Sequence, residues 1–166
     1  MILIIDTTGN EDMINEIESG LNGRNDYEII RAKDMKIGHC IGCNYCWLKD
    51  PGICSVKDDH ETILKKMILS DQIWLVSGTT LGFITPLAKN IIDRIIPLAT
   101  MNLKFKGKQM RHELRYKSYQ FGLIYDGEAD KAFMEHWSDR VAINFGSRTK
   151  GAFKREEIKE AVSCMC

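Results

Sequence analysis

Three short runs of apolar residues, at positions 2–5, 73–76 and 121–125, constrain this chain more than any other feature. They are too short for buried helices and lack the polar alternation of half-exposed strands. That pattern predicts strands buried on both faces of a sheet. Each run is followed by a loop rich in Gly, Ser, Thr or Asn and then by a segment with helical spacing. In the first of these, residues 11–21, Met13, Ile14, Ile17 and Leu21 fall on one side. Pro86 suits the first turn of a helix reaching Ile96, and residues 129–145 read as a further helix. A strand at 27–30, a helix running from the caps Asp58 and Asp59 to Leu69, and a tail with a short strand near Ala152 and Phe153 and a last helix from Arg155 complete the series. Strand alternating with helix requires crossovers, so the expected fold is α/β: a doubly wound parallel sheet of four to five strands in a three-layer α/β/α arrangement, one domain over residues 1–166.

In such sheets ligands sit beyond the carboxyl ends of the strands. Three loops are expected at that edge. The first is Thr7, Thr8, Gly9 and Asn10; the second is Ser77, Gly78, Thr79, Thr80, Leu81, Gly82 and Phe83; the third is Tyr125, Asp126 and Gly127. The first precedes a helix, whose free backbone N–H groups suit a phosphate. It also reads as a plain N-capped turn, and two acids, Glu11 and Asp12, follow it directly. Convergence of the three loops favours a mononucleotide cofactor.

Four of the six cysteines lie within fifteen positions, at Cys40, Cys43, Cys46 and Cys54, spaced C-x2-C-x2-C-x7-C. Bacterial ferredoxins hold a [4Fe-4S] cluster with the related run C-x2-C-x2-C-x3-C. Structural zinc usually pairs two separate knuckles across a longer gap. The overlapping run therefore favours iron–sulfur over zinc, with reduced, metal-free thiols as the third possibility. Pro51 and Gly52 supply a turn that brings Cys54 back towards the others. His39 and His60 flank this loop and read as loop or cap residues rather than ligands. Cys164 and Cys166, at the other end of the chain, read as exposed thiols.

Composition excludes several classes. With 23 Lys and Arg against 23 Asp and Glu the net charge is zero, so no global field draws the chain to nucleic acid or a membrane. The absence of a signal peptide or a long apolar run, together with unpaired thiols, leads us to expect a cytoplasmic protein. Locally the balance breaks: Lys104, Lys106, Lys108, Arg111, Arg115 and Lys117 form a basic excursion over residues 101–119, relieved only by Glu113. Its ordinary reading is a solvated, irregular segment. The sharper reading is a patch for a pyridine-nucleotide phosphate or for a partner subunit, and His112, Tyr116 and Tyr119 favour packing onto something.

The run CIGCNYCW…PGICSVKDD, the stretch SGTTLGFITPLAKNIIDR and the later QMRHELRYKSYQFGLIYDGE together resemble the iron–sulfur flavoproteins and related NADPH-dependent FMN reductases over about residues 36–146. The resemblance implies a flavodoxin-like fold, bound FMN, a [4Fe-4S] cluster passing electrons to it, and a homodimer or homotetramer. Cys40, Cys43, Cys46 and Cys54 match the family's cysteine motif, and Lys89, Asp93 and Arg94 match its K-x-x-x-D-R helix. The flavin loop differs: where the family tends to read S-P-x-Y-x-G, this chain has Ser77-Gly78-Thr79-Thr80-Leu81-Gly82. The expected activity is that of an FMN-dependent oxidoreductase or electron-transfer flavoprotein taking electrons from NAD(P)H or ferredoxin. No side chain reads as a dedicated acid or base, since the chemistry would belong to the cofactor. The alternative is a non-catalytic domain using its cysteines for zinc or redox sensing.

Overall fold

A computed structural model describes all 166 residues. The strands β1 Ile2–Asp6, β2 Tyr27–Arg31, β3 Gln72–Thr80, β7 Gln120–Asp126 and β8 Thr149–Lys154 form one parallel sheet in the order β2-β1-β3-β7-β8. A two-residue strand, β4 (Phe83–Ile84), folds back antiparallel on the end of β3. The helices are α1 (Glu11–Gly20), α2 (Tyr45–Leu48), α3 (His60–Leu69), α4 (Pro86–Asp93), α5 (Lys131–Asn144) and α6 (Ile158–Met165). No helix is long and apolar enough to cross a membrane.

Alternation along the strands divides the core into two layers. Leu3, Ile5, Ile73, Leu75, Phe121 and Leu123 face α3, α4 and α5, while Ile2, Ile4, Trp74, Val76 and Ile124 face α1 and α6. Each such side chain, removed from water, stabilises the fold by about 1.5–3 kcal/mol before entropy is counted. Trp74 shows how tightly the layers close. Its indole crosses Gly122 on the neighbouring strand, where an added Cβ would lie 2.5 Å from the ring. Helix starts are set by side chains that accept from free amides. Asn10 caps Met13 N at 3.3 Å, Asp130 caps Phe133 N at 2.7 Å, and Thr85 precedes Pro86 at the start of α4.

The excursion is not irregular. Residues Ala99–Lys106 (β5) and Gln109–Leu114 (β6) form an antiparallel hairpin closed by Gly107 and Lys108, with Gly107 at φ +62°. The register places Leu103 opposite His112 and Phe105 opposite Met110 on one side, and Lys104 opposite Arg111 on the other. This is a period-two pattern. Frequent lysines hide it in the sequence, and the apolar side is largely exposed, Phe105 at 76%. Nor are the charges uniformly solvated. Lys104 pairs with Glu113, Arg111 donates to the Ile143 carbonyl, Arg115 to that of Pro97, and Lys117 to Asp71.

Candidate functional site

The cysteine loop turns inward because two residues beside Cys43 adopt left-handed backbone: Gly42 at φ +66° and Asn44 at φ +53°. Asn44 then starts the short α2, which carries Cys46. The Pro51-Gly52 turn closes the return, with Gly52 N donating to the Cys46 carbonyl at 2.9 Å. Cys40, Cys43, Cys46 and Cys54 consequently line one small cavity with Ser55, Arg94 and Ile96. No three ligand-type side chains are placed to hold a single metal ion.

The four sulfurs differ in setting. Cys43 is exposed, and the Ser55 hydroxyl at 3.1 Å, with help from the Tyr45 amide, pulls its thiol below the ordinary value. Cys46 is buried. Burial first, and then the neighbouring Cys54, Cys40 and Cys43, push its thiol up. Ionising Cys46 beside its neighbours is therefore costly, and a cationic guest in the cavity would offset that cost.

Arg94, at the end of α4 and 1% exposed, holds the loop in place. Its Nη1 donates to Asp58 Oδ2 at 2.5 Å and to the Gly38 carbonyl at 3.2 Å; its Nη2 donates to the Val56 carbonyl at 3.1 Å and reaches Cys54 Sγ at 3.5 Å. Burial pushes the Asp58 carboxyl up. Hydrogen bonds from Arg94, then from the Gly38 and His60 amides, outweigh it and hold the group below its usual range. Behind this pair His60 is fully buried, with Nε2 3.0 Å from the Ile91 carbonyl and Nδ1 unpartnered. Burial lowers it to about 4.

The three strand-end loops do meet at one edge. Thr7 N donates to the Val76 carbonyl at 2.9 Å, Gly78 stands opposite Asp126, and a Cβ on Gly127 would lie 2.3 Å from Thr79 Oγ1. Ser77 accepts from Thr85 N at 3.2 Å. Thr79 and Thr80 pair with Ile84 and Phe83, so Leu81 and Gly82 form the tip of a tight hairpin, both with positive φ and Leu81 fully exposed. Tyr125 is buried, its hydroxyl unpartnered.

In the first loop an oxyanion is already in place. Asp6 Oδ1 accepts from Thr8 N at 2.8 Å, Thr8 Oγ1 at 2.6 Å and Gly9 N at 3.3 Å, and Asn10 N turns to Thr8 Oγ1. Backbone N–H groups clustered in a turn suit an anion in general, and here they are taken by the chain's own carboxylate. Asp6 is fully buried, with Arg31 3.7 Å from its otherwise unpartnered Oδ2. The stem of Lys33 lies across Gly9, where a Cβ would meet Lys33 Cδ at 2.2 Å. Sequence reading marked the loop but missed Asp6 and Lys33. The available signal was an acid as the last residue of an apolar strand.

No protein-family model matches the chain. An iron–sulfur flavoprotein of Archaeoglobus fulgidus is 46% identical to it over 67 residues, which is 40% of this chain and 32% of that protein. The match therefore spans about a third of that relative's length. The structure superposes on RosB with bound 8-demethyl-8-formylriboflavin-5'-phosphate with a TM-score of 0.67 at 14% identity, over 98% of this chain and 75% of that one. Megasphaera elsdenii flavodoxin superposes over the full length of both chains, with a TM-score of 0.55 and 16% identity. The fold is flavodoxin-like, and the sequence resembles the iron–sulfur flavoproteins. The five-stranded parallel sheet and the layered helices agree with the architecture expected from the apolar runs.

Proposed function

We propose that the protein is an electron-transfer flavoprotein or flavin oxidoreductase in which Cys40, Cys43, Cys46 and Cys54 hold a [4Fe-4S] cluster and FMN sits at the strand-end edge. The observation that carries this reading is the cavity on which all four thiols open. A single zinc, with Zn–S bonds of about 2.3 Å, would need the sulfurs drawn to one point. A cubane binds each thiolate to a different iron, so thiols ringing a cavity suit it. Arg94 at Cys54 and Ser55 at Cys43 supply the hydrogen bonds that would tune such a cluster.

For FMN the donor set fits an oxyanion, but the phosphate must take Thr8 and Gly9 from Asp6. The ring would lie against the Thr79–Gly82 backbone. The flavin supplies hydride and single-electron chemistry when bound; the chain supplies placement. The donor we infer is NAD(P)H or a reduced ferredoxin, and the working form a homodimer or homotetramer. Similarity to the Archaeoglobus iron–sulfur flavoprotein and the flavin phosphate bound in RosB support the choice of cofactors.

A second reading rests on Cys43 alone: an exposed thiol held below its usual value is suited to redox sensing without metal. Anaerobic reconstitution separates the two. The first reading expects about four iron and four sulfide per chain, with brown colour lost in Cys43→Ser. Stoichiometric zinc, or no metal uptake, would overturn it. Independently, saturating FMN must raise the melting temperature if it binds the native state.

A further inference from the structure

The largest cleft in the molecule, about 680 Å³, lies between the hairpin, α5 and the turn after α4. None of the strand-end loop residues lines it, so it is separate from the edge assigned to the flavin. Its size falls among small-ligand sites, and its walls are mostly apolar with a few polar groups, as such sites require.

The walls carry two kinds of chemistry. The first is aromatic. Trp47 and His112 pack ring to ring at 4.5 Å, and Trp137 and Phe145 contribute further faces. Trp47 is fixed by its indole N–H, which lies 3.1 Å from the carbonyls of both Ile96 and Ala99, and His112 Nδ1 lies 2.9 Å from the Thr100 carbonyl. These rings are therefore in position before any ligand arrives. The second is cationic. Arg111 and Arg140 both line the cleft. Arg111 is held by the Ile143 carbonyl and Gln109, and its Nε is buried without a partner; Arg140 has no ion-pair partner. The one acid on the wall, Asp93, is already paired with Lys89.

We propose that this cleft binds a planar aromatic anion, its ring against the Trp47–His112 pair and Trp137 and its acidic group on Arg140 and Arg111. Flat rings gain from stacking on fixed indole and imidazole faces, and guanidinium groups that lack carboxylates favour an anion. The site also has a functional address. Ile96 lines both this cleft and the four-thiol cavity, and Trp47 follows Cys46 directly, so a bound ring lies one side chain from the cysteines. The binding site stands without any cluster in that cavity.

The test is a titration of the purified protein with anthraquinone-2-sulfonate, read by tryptophan fluorescence. Trp47 and Trp137 line the cleft, whereas Trp74 is buried on the opposite face of the sheet and serves as the unquenched background. Saturable quenching is expected, with the quenched fraction reduced in Trp47→Phe and in Trp137→Phe. Arg140→Ala, which removes no ion pair from the fold, should raise the dissociation constant about tenfold, the value of one charge-assisted hydrogen bond. The uncharged 2-(hydroxymethyl)anthraquinone should not respond to that substitution. Quenching that rises linearly without saturation overturns the site, as does saturable quenching that persists when both tryptophans are replaced. Equal affinity of wild type and Arg140→Ala for the sulfonate overturns the anion. FMN that competes with the sulfonate places the flavin itself in the cleft and removes it from the strand ends; FMN that binds without competing leaves the cleft as a second aromatic site.

Discussion

The cysteine loop and the strand-end loop at residues 7–10 are both turns that present donors to a guest, yet they are built in opposite ways. The first is braced from outside. Arg94 and Asp58 form a buried pair beneath it, and its four thiols are left facing a cavity. The second satisfies itself. Asp6 takes the N–H groups of Thr8 and Gly9, so the loop is complete without a ligand. A site of the first kind is stabilised by its guest. One of the second kind must exchange an internal anion for an external one, so its affinity is set by that competition and not by the donors alone.

The largest effect should come from removing the brace. Deleting one partner of a buried ion pair leaves the other charge uncompensated, at a cost of about 3–5 kcal/mol. Asp58→Ala should therefore lower stability by that amount in urea denaturation and abolish iron uptake. The double variant Arg94→Met/Asp58→Leu sharpens the comparison. Packing without charge should recover most of the stability, but not the iron, because Arg94 also holds the Gly38 and Val56 carbonyls and reaches Cys54. Normal iron content in the double variant would show that the loop shapes itself without the brace.

The histidine packed behind the brace makes the fold sensitive to acid. His60 is buried neutral, with its folded value lowered to about 4 from 6.5. Between those values the unfolded chain binds the extra proton and the folded one does not, so stability rises with pH across the window and is lost as pH falls from about 6.5 towards 4. The full difference amounts to about 3 kcal/mol. Denaturation midpoints measured from pH 7 to 4 should decline with that span, and His60→Gln should flatten the slope. An unchanged slope in the variant would assign the acid sensitivity to another group.

These two regions also differ in how far sequence reveals them. The cysteine spacing, the Pro51-Gly52 turn and the apolar strand runs are local patterns, and local patterns are legible. The brace is not, because Arg94 and Asp58 are 36 positions apart and their pairing exists only once α4 packs beside the loop. The hairpin at residues 99–114 was obscured for another reason: lysines on one side and exposed apolar residues on the other resemble a solvated segment until the register is known. Asp6 sits among residues expected to bind a phosphate. Nothing in the string shows that its side chain folds back into the turn rather than away from it.

A smaller effect is expected from relieving the competition at the strand ends. Asp6→Asn keeps an oxygen for Thr8 and Gly9 but removes the charge that opposes an incoming phosphate. FMN should bind about tenfold more tightly, the equivalent of about 1.4 kcal/mol, with little change in stability. Isothermal titration of both proteins measures the difference. Weaker FMN binding in Asp6→Asn would mean that Asp6 supports the flavin instead of displacing it.

The smallest effect concerns the hairpin, where the structure narrows an argument based on charge alone. Of the six basic residues in the hairpin and just after it, Lys104, Arg111, Arg115 and Lys117 already have protein partners. Lys106 and Lys108 flank the Gly107 turn without ion pairs and are exposed. If an anionic electron donor is steered to this face, these two lysines must do it, and the effect must be one of long-range attraction rather than contact. Reversing both to Glu should raise the apparent Michaelis constant for NADPH or a ferredoxin a few-fold at low salt, leave iron and flavin content unchanged, and lose its effect near physiological ionic strength, where the screening length is about 8 Å. Reversing Arg111 would not test the same idea, because it breaks the tie from the hairpin to the Ile143 carbonyl and alters the fold as well as the field. Donor kinetics indifferent to both the reversal and the salt would leave the hairpin's exposed apolar side, not its charge, as its point of contact with other molecules.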